Sequence, residues 1–255
     1  MLREDILLAH GNGTTASQAT ILSDAGVYIT STPDAELLMA SGADPVAFRS
    51  DLPLTCLGAD CHSSGPTSML HQMQMALSSD RGAQTSSAFR SNLYPQQFRA
   101  TVQKAFNLAT IQAARAVRMD DEIGSIAVGK LADLVIFDST TPSMACAADY
   151  DPLTAIVRHA GVREIDTVII GGDIRKLGGQ LQDIKCPSSS NGVGAVEFLR
   201  GLADDGNLSW SEIAQKVSVS RKEVQRRIES VNKDLARSKL GLLMGGLEHV
   251  LAPAV

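Results

Sequence analysis

Residues 57–65 read LGADCHSSG, and a second polar cluster, AHGNG, occupies residues 9–13. Each follows a short apolar run: PLTCLGA before Asp60 and ILLA before His10. A carboxylate at a strand end can bind a divalent metal or take a proton from bound water. A histidine there can bind metal, shuttle protons or stabilise a developing oxyanion. Each residue also has a plain structural reading, since aspartate caps helices and His10 can hydrogen-bond within its glycine loop. If residues 60–62 are extended, Asp60 and His62 share a face and Cys61 points away. Glu36 is a further acidic candidate, and His71 reads as a surface or packing residue.

These residues need a scaffold. Residues 6–9 read as a buried strand entering a glycine loop. A helix is expected over residues 17–25, stopped by Gly26. Residues 27–30 are β-rich and closed by Pro33, then residues 35–40 form a helical turn. Residues 54–59 read as a strand ending at Asp60, residues 69–77 as a helix, and residues 98–117 as one alanine-rich helix. Strand and helix therefore alternate through residue 118, the signature of a parallel α/β sheet, where reactive groups collect at strand ends. Residues 119–185 read instead as a small β-rich unit. It has glycine-separated strands from Glu122 onward and a hairpin over 168–174 with Gly171-Gly172 at its turn. Residues 186–194, CPSSSNGVG, read as a linker, and residues 195–255 as a helical tail.

The bulk properties exclude some classes. The chain has 255 residues, 44% hydrophobic and 20% charged, which suffices for a sizeable core. A net charge of -5 gives the whole chain no cationic footprint for nucleic acid or anionic membrane. Cys56, Cys61, Cys146 and Cys186 show no C-x-x-C spacing, which points to free thiols in a reducing compartment. The opening has too short an apolar stretch for a signal peptide, and no run reaches membrane-spanning length, so a cytoplasmic location is expected.

The residues already quoted resemble the C-terminal part of the amidohydrolase superfamily, in its branch of cytosine, guanine and triazine deaminases and related chlorohydrolases. ILLAHGNG resembles the sixth barrel strand, ITSTPDAEL the seventh and LGADCHSS the eighth. ATIQAARAVRMDDEIGSIAVGKLADLVIFD resembles the return of the last barrel helix into a small β domain, and DTVIIGGDIRKLGGQL its closing hairpin. The resemblance implies an α/β fold: a partial (β/α)8 barrel of about strands six to eight, a small β-rich composite domain and C-terminal helices. It implies metal-dependent hydrolysis or hydrolytic deamination at a C–N or C–Cl bond of a small, heterocyclic substrate. Asp60 would contact zinc or another divalent metal and shuttle the proton. His10 would meet substrate and the attacking water. Glu36 and His62 are further substrate-contact candidates. Lys130 and Asp133, with Gly124 and Gly129, read as structural.

The family's remaining metal ligands, a His-x-His pair and a strand-five histidine, have no counterpart among His10, His62, His71, His159 and His249. The chain is therefore expected to hold zinc weakly by itself. It would be a piece of a longer product, or be completed by a second copy or another protein supplying strands. The competing reading is a non-catalytic partner or scaffold. A weaker rival lies in residues 206–235, where Ser220 could cap the second helix of a helix-turn-helix with Arg221, Lys222, Arg226 and Arg227 on its face. The favoured expectation is a packed tail that buries Trp210, Ile213, Val217, Val224 and Ile228.

Overall fold

The computed structural model describes residues 2–39, 45–185 and 207–243. The expected linker at 186–194 lies outside them, as do the ends of the expected tail. Two compact units divide near residue 181: residues 1–181 and residues 182–255.

The first unit begins with three strands, β1 (Leu7–Ala9), β2 (Tyr28–Ser31) and β3 (Thr55–Leu57). They form one parallel sheet in chain order, with Leu8 opposite Ile29 and Ile29 opposite Thr55. Parallel strands need crossovers, and two helices lie in them. Helix α1 (Ala16–Asp24) opens with a capping box between Thr15 and Gln18. Helix α2 (Pro33–Leu38) starts with proline at its first position, where no amide is needed. Ala19, Leu22, Val27, Ile29, Val46 and Leu52 make one core beneath β1 and β2.

After β3 comes α3 (Met69–Phe89), longer than the expected 69–77. Its polar second half is held from outside: buried Asp80 accepts from Arg99 Nε at 2.6 Å, and Arg81 donates to the Ala100 carbonyl. The single helix expected over 98–117 is two, α4 (Val102–Ala109) and α5 (Ile111–Ala116). The break is at Thr110, whose hydroxyl donates to the Phe106 carbonyl at 2.8 Å, a bond that bends helices. Leu57, Leu70, Met73, Leu77, Ala105 and Leu108 share the main core with Ala155 and Val157.

The strands expected from Glu122 to Val128 are turns instead. Lys130 Nζ gathers them, donating to the Asp120 and Ile123 carbonyls and to Ser125 Oγ. An antiparallel sheet then runs β4 (Leu134–Phe137), β5 (Ile165–Ile170), β6 (Asp173–Leu177) and β7 (Gln180–Leu181). Gly171 and Gly172 turn the β5–β6 hairpin with φ of 58° and 88°, which suits glycine. Asp133 Oδ1 accepts from the Gly171 amide at 2.7 Å, the structural role its position suggested. Between β4 and β5 lie α6 (Ala145–Tyr150) and α7 (Pro152–Arg158), which the β-rich reading omitted.

In the second unit, β8 (Ile184–Lys185) pairs antiparallel with β9 (Asn207–Leu208). Helices α8 (Trp210–Glu229) and α9 (Lys233–Leu243) follow. Helix α8 continues through Ser220, so the turn of a helix-turn-helix is absent from it. Arg221, Lys222 and Glu223, good helix formers, follow Ser220 directly and carry the helix past it. Along this helix Trp210, Val217, Val224 and Ile228 are exposed and Ile213 is half-buried. Glu223 pairs with Arg226 and Arg227 along the same helix.

Candidate active site

The parallel register places the ends of the three strands side by side. His10 directly follows β1, and its amide donates to the Thr30 carbonyl of β2 at 2.8 Å. Gly58 follows β3, and its amide donates to the Ser31 carbonyl. Asp60 lies two residues further on. His10 Nε2 is 4.0 Å from Asp60 Oδ2, with the two side chains 44% and 24% exposed, so the pair is open to a ligand.

Both residues have left-handed backbone, with φ of 69° at His10 and 61° at Asp60. Such a conformation costs an L-residue about 1–2 kcal/mol, less for aspartate and histidine, and it collects at functional sites. At Asp60 it is stabilised by the carboxylate itself, whose Oδ1 accepts from the Cys61 amide at 2.6 Å.

Glu36 lies one turn into α2, and its side chain is fully buried. Oε1 accepts from the Thr32 amide at 2.7 Å and Oε2 from Ser31 Oγ at 3.0 Å. His10 Nδ1 is 3.1 Å from Thr32 Oγ1 and 3.4 Å from Glu36 Oε1. Thr32 Oγ1 in turn donates to Glu36 Oε1. These acceptors suit a donated Nδ1–H, and Nε2 is the ring nitrogen that faces Asp60. Glu36 thus reaches His10 and the β2–α2 turn. The substrate contact expected of it has no exposed surface to act through.

The face shared by Asp60 and His62 does not form. It required extended backbone, and the left-handed Asp60 begins a turn in which the Ser64 amide donates to the Cys61 carbonyl. His62 is exposed on that turn. Cys61 is exposed too, and hydrogen bonds from Ser63 and Ser64, which lie 3.0 and 3.3 Å from its sulfur, hold its thiol below the usual cysteine range. By contrast, burial pushes the Cys56 thiol up.

Asp34, passed over in the sequence, and His71, read there as a surface or packing residue, join this region. His71, in the first turn of α3, has Nε2 3.1 Å from Asp34 Oδ2. Ser31 and Thr32 were also missed, although Thr32-Pro33 followed by Glu36 is a helix-start signal that could have revealed them.

A catalytic zinc takes three protein ligands and a water. Among the described residues, no three His, Cys, Asp or Glu side chains group so as to hold a metal ion. Glu36 is committed to Ser31 and Thr32, and His62 is exposed on a turn rather than on an extended segment with Asp60. The residues present do not fit a catalytic metal by themselves.

What the arrangement offers is an imidazole nitrogen beside a carboxylate, at the end of a parallel sheet. Known proteins are similar to this chain in sequence and fold. The chain is 30% identical over 177 residues to the 5'-deoxyadenosine deaminase of Methanosphaera stadtmanae, covering 68% of this chain and 38% of the relative. It is 26% identical over 180 residues to a 5-methylthioadenosine/S-adenosylhomocysteine deaminase of Moorella thermoacetica, covering 70% and 40%. The chain thus spans about two fifths of the length of the curated relatives it matches. Among solved structures, a zinc-bound adenosine deaminase from Xanthomonas campestris superposes with a TM-score of 0.58 at 23% identity, over 72% of this chain and 39% of that one. Zinc-complexed atrazine chlorohydrolase from Arthrobacter aurescens gives 0.60 at 16% identity, over 71% and 38%. These likenesses establish the fold: a mixed α/β chain whose parallel sheet resembles part of a TIM barrel, with an antiparallel sheet and C-terminal helices. The family model described as Amidohydrolase family matches residues 1–175, and the chain belongs to that family.

Proposed function

We propose that the His10–Asp60 pair is the proton-handling part of a site that hydrolyses a C–N bond, or a C–Cl bond, in a small heterocyclic substrate. The observation that carries this reading is the approach of His10 Nε2 to Asp60 Oδ2 from the ends of β1 and β3, the two strands that flank β2, both residues in left-handed backbone. In the reaction, a water oxygen bonds to the ring carbon as its proton passes to Asp60. His10 Nε2 accepts a hydrogen bond from the substrate or the water and fixes its direction. As the C–N bond breaks, Asp60 returns the proton to the leaving nitrogen and ammonia departs. Glu36 and Thr32 hold the His10 ring in the required tautomer. The domain limits proposed for this function are residues 1–118 for the barrel portion and 119–185 for the β unit.

A second reading, a non-catalytic partner or scaffold, is favoured by one observation. No three-residue metal set occurs among the described residues. In that reading the outer edges of β1 and β3 pair with a second copy or another chain, and the protein is a dimer or larger in solution.

The deciding experiment is ammonia release from 5'-deoxyadenosine, 5'-methylthioadenosine and an aminotriazine, with zinc supplied. Turnover abolished by Asp60→Asn and strongly reduced by His10→Asn supports the hydrolytic reading. Turnover indifferent to both contradicts it, and no turnover with a defined oligomer favours the scaffold.

A further inference from the structure

Asp34 stands where three segments meet. It lies in the first turn of α2, directly after the Thr32-Pro33 step that contacts His10. Its Oδ2 is 3.1 Å from His71 Nε2, on α3. Its amide donates to Gln72 Oε1, the neighbouring side chain on α3, at 3.2 Å. The third segment is the loop that starts at Asp60. Its Gly65 passes so close that an added Cβ would sit 2.2 Å from Asp34 Oδ2. The Asp34 side chain is 21% exposed, that of His71 is 35% exposed, and Gln72 is buried. The pair is therefore partly shielded from solvent, and its two atoms lie within ion-pair distance without hydrogen-bond geometry.

We propose that Asp34 and His71 are positioning residues that hold the Asp60 loop at its far end, and so set the placement of the Asp60 carboxylate beside His10. The loop is fixed at its near end by the strand, through the Gly58 amide and the Ser31 carbonyl. Between these ends, its internal bonds are local: Cys61 amide to Asp60 Oδ1, and Ser64 amide to the Cys61 carbonyl. Local turns of that kind do not fix where a loop sits on the sheet. The seat of Gly65 against Asp34 does. His71 holds the carboxylate in that seat from one side, and Gln72 holds its backbone from another. The functional weight of this placement rests on the role proposed above for Asp60, whereas the placement itself does not.

The test is hydrogen–deuterium exchange, read by mass spectrometry on peptides covering residues 60–66, in the full chain and three variants. Asp34→Asn and His71→Asn each weaken the pair. Gly65→Ala leaves both partners in place and displaces the Asp34 carboxylate sterically, and the Gly65 backbone is not in the left-handed region that alanine resists. Each variant is expected to raise exchange in residues 60–66 about fivefold, as a disturbed part-buried contact releases a local opening. Residues 102–116 are expected to stay at the wild-type rate. The double variant Asp34→Asn/His71→Asn is expected to match the single ones. Unchanged exchange over 60–66 in the variants overturns the proposal, and so does an equal rise over 102–116. A local rise in a chain inactive on every substrate upholds the positioning role and counts only against the hydrolytic reading.

Discussion

Replacing Glu36 tests whether the candidate site is held together by one buried carboxylate. Glu36→Ala removes the acceptor for the Thr32 amide, the Ser31 hydroxyl and the Thr32 hydroxyl at once. Ser31 and Thr32 are both buried, so water does not replace the lost bonds. A buried polar group left without a partner costs about 1–3 kcal/mol, and the vacated side-chain volume adds to this. Two orphaned groups, the Thr32 amide and the Ser31 hydroxyl, bring the expected loss to about 3–5 kcal/mol, against about 5–15 kcal/mol for a typical domain. Glu36→Gln keeps an amide oxygen for the Thr32 amide and loses only the charge-assisted strength, for about 1–2 kcal/mol. With a urea slope of about 2 kcal/mol/M, the midpoints should fall by about 1.5–2.5 M and about 0.5–1 M respectively. Urea titration followed by far-ultraviolet circular dichroism measures both. A Glu36→Ala midpoint within about 0.5 M of wild type would refute the reasoning. So would equal losses in the two variants, because the oxygen acceptor rather than the charge is argued to dominate.

Glu164 gives a pH dependence: a hydrogen bond from Ser143 Oγ at 2.7 Å, then one from the Gly161 amide, holds its carboxyl below the ordinary value of 4.5. A carboxyl lowered on folding contributes stability that is full above 4.5 and is lost as pH falls through the folded value, so Ser143→Ala should lower the melting temperature at neutral pH and narrow its gap to wild type in acid. Cys61 should be alkylated at a lower pH than an ordinary thiol, with Cys56 protected until unfolding; peptide mapping checks this, and Ser63→Ala should shift the Cys61 profile upward. Gly124→Ala should destabilise by about 2 kcal/mol or more in the same urea assay, since φ is +82° there and the new methyl would lie 2.5 Å from Ala114 Cβ.

The alternation of apolar runs and polar clusters made β1, β2 and β3 legible, although only β2 and β3 are buried: the buried strand expected over residues 6–9 has Leu7 and Ala9 exposed and Leu8 half-buried. His10 and Asp60 were legible as candidates for the same reason: they are the first chemically capable residues after those runs. Their left-handed backbone was not, since neither is glycine, and that conformation removed the face Asp60 was expected to share with His62. Glu36 carried a helix-start signal, yet its burial depends on Ser31 and Thr32 being brought under it by the sheet. The Asp34–His71 contact joins residues 37 positions apart and leaves no periodic trace. The break at Thr110 hid inside an alanine-rich run, because one threonine hydroxyl turning back on the helix weighs little in a propensity sum. Asp151-Pro152, by contrast, was a readable start for α7, with the Asp151 carboxylate accepting from the Thr154 amide. The β-rich appearance of the surrounding stretch masked it.

Zinc content of the purified full chain, measured after zinc loading and exhaustive dialysis, bears most directly on the division of labour at this site. If the chain supplies the proton-handling pair and lacks a three-ligand metal set of its own, retained zinc should be far below one equivalent, and Asp60→Ala and His62→Ala should leave it unchanged. One tightly held equivalent, lost in both variants, would contradict this and show that these strand ends build a metal site by themselves.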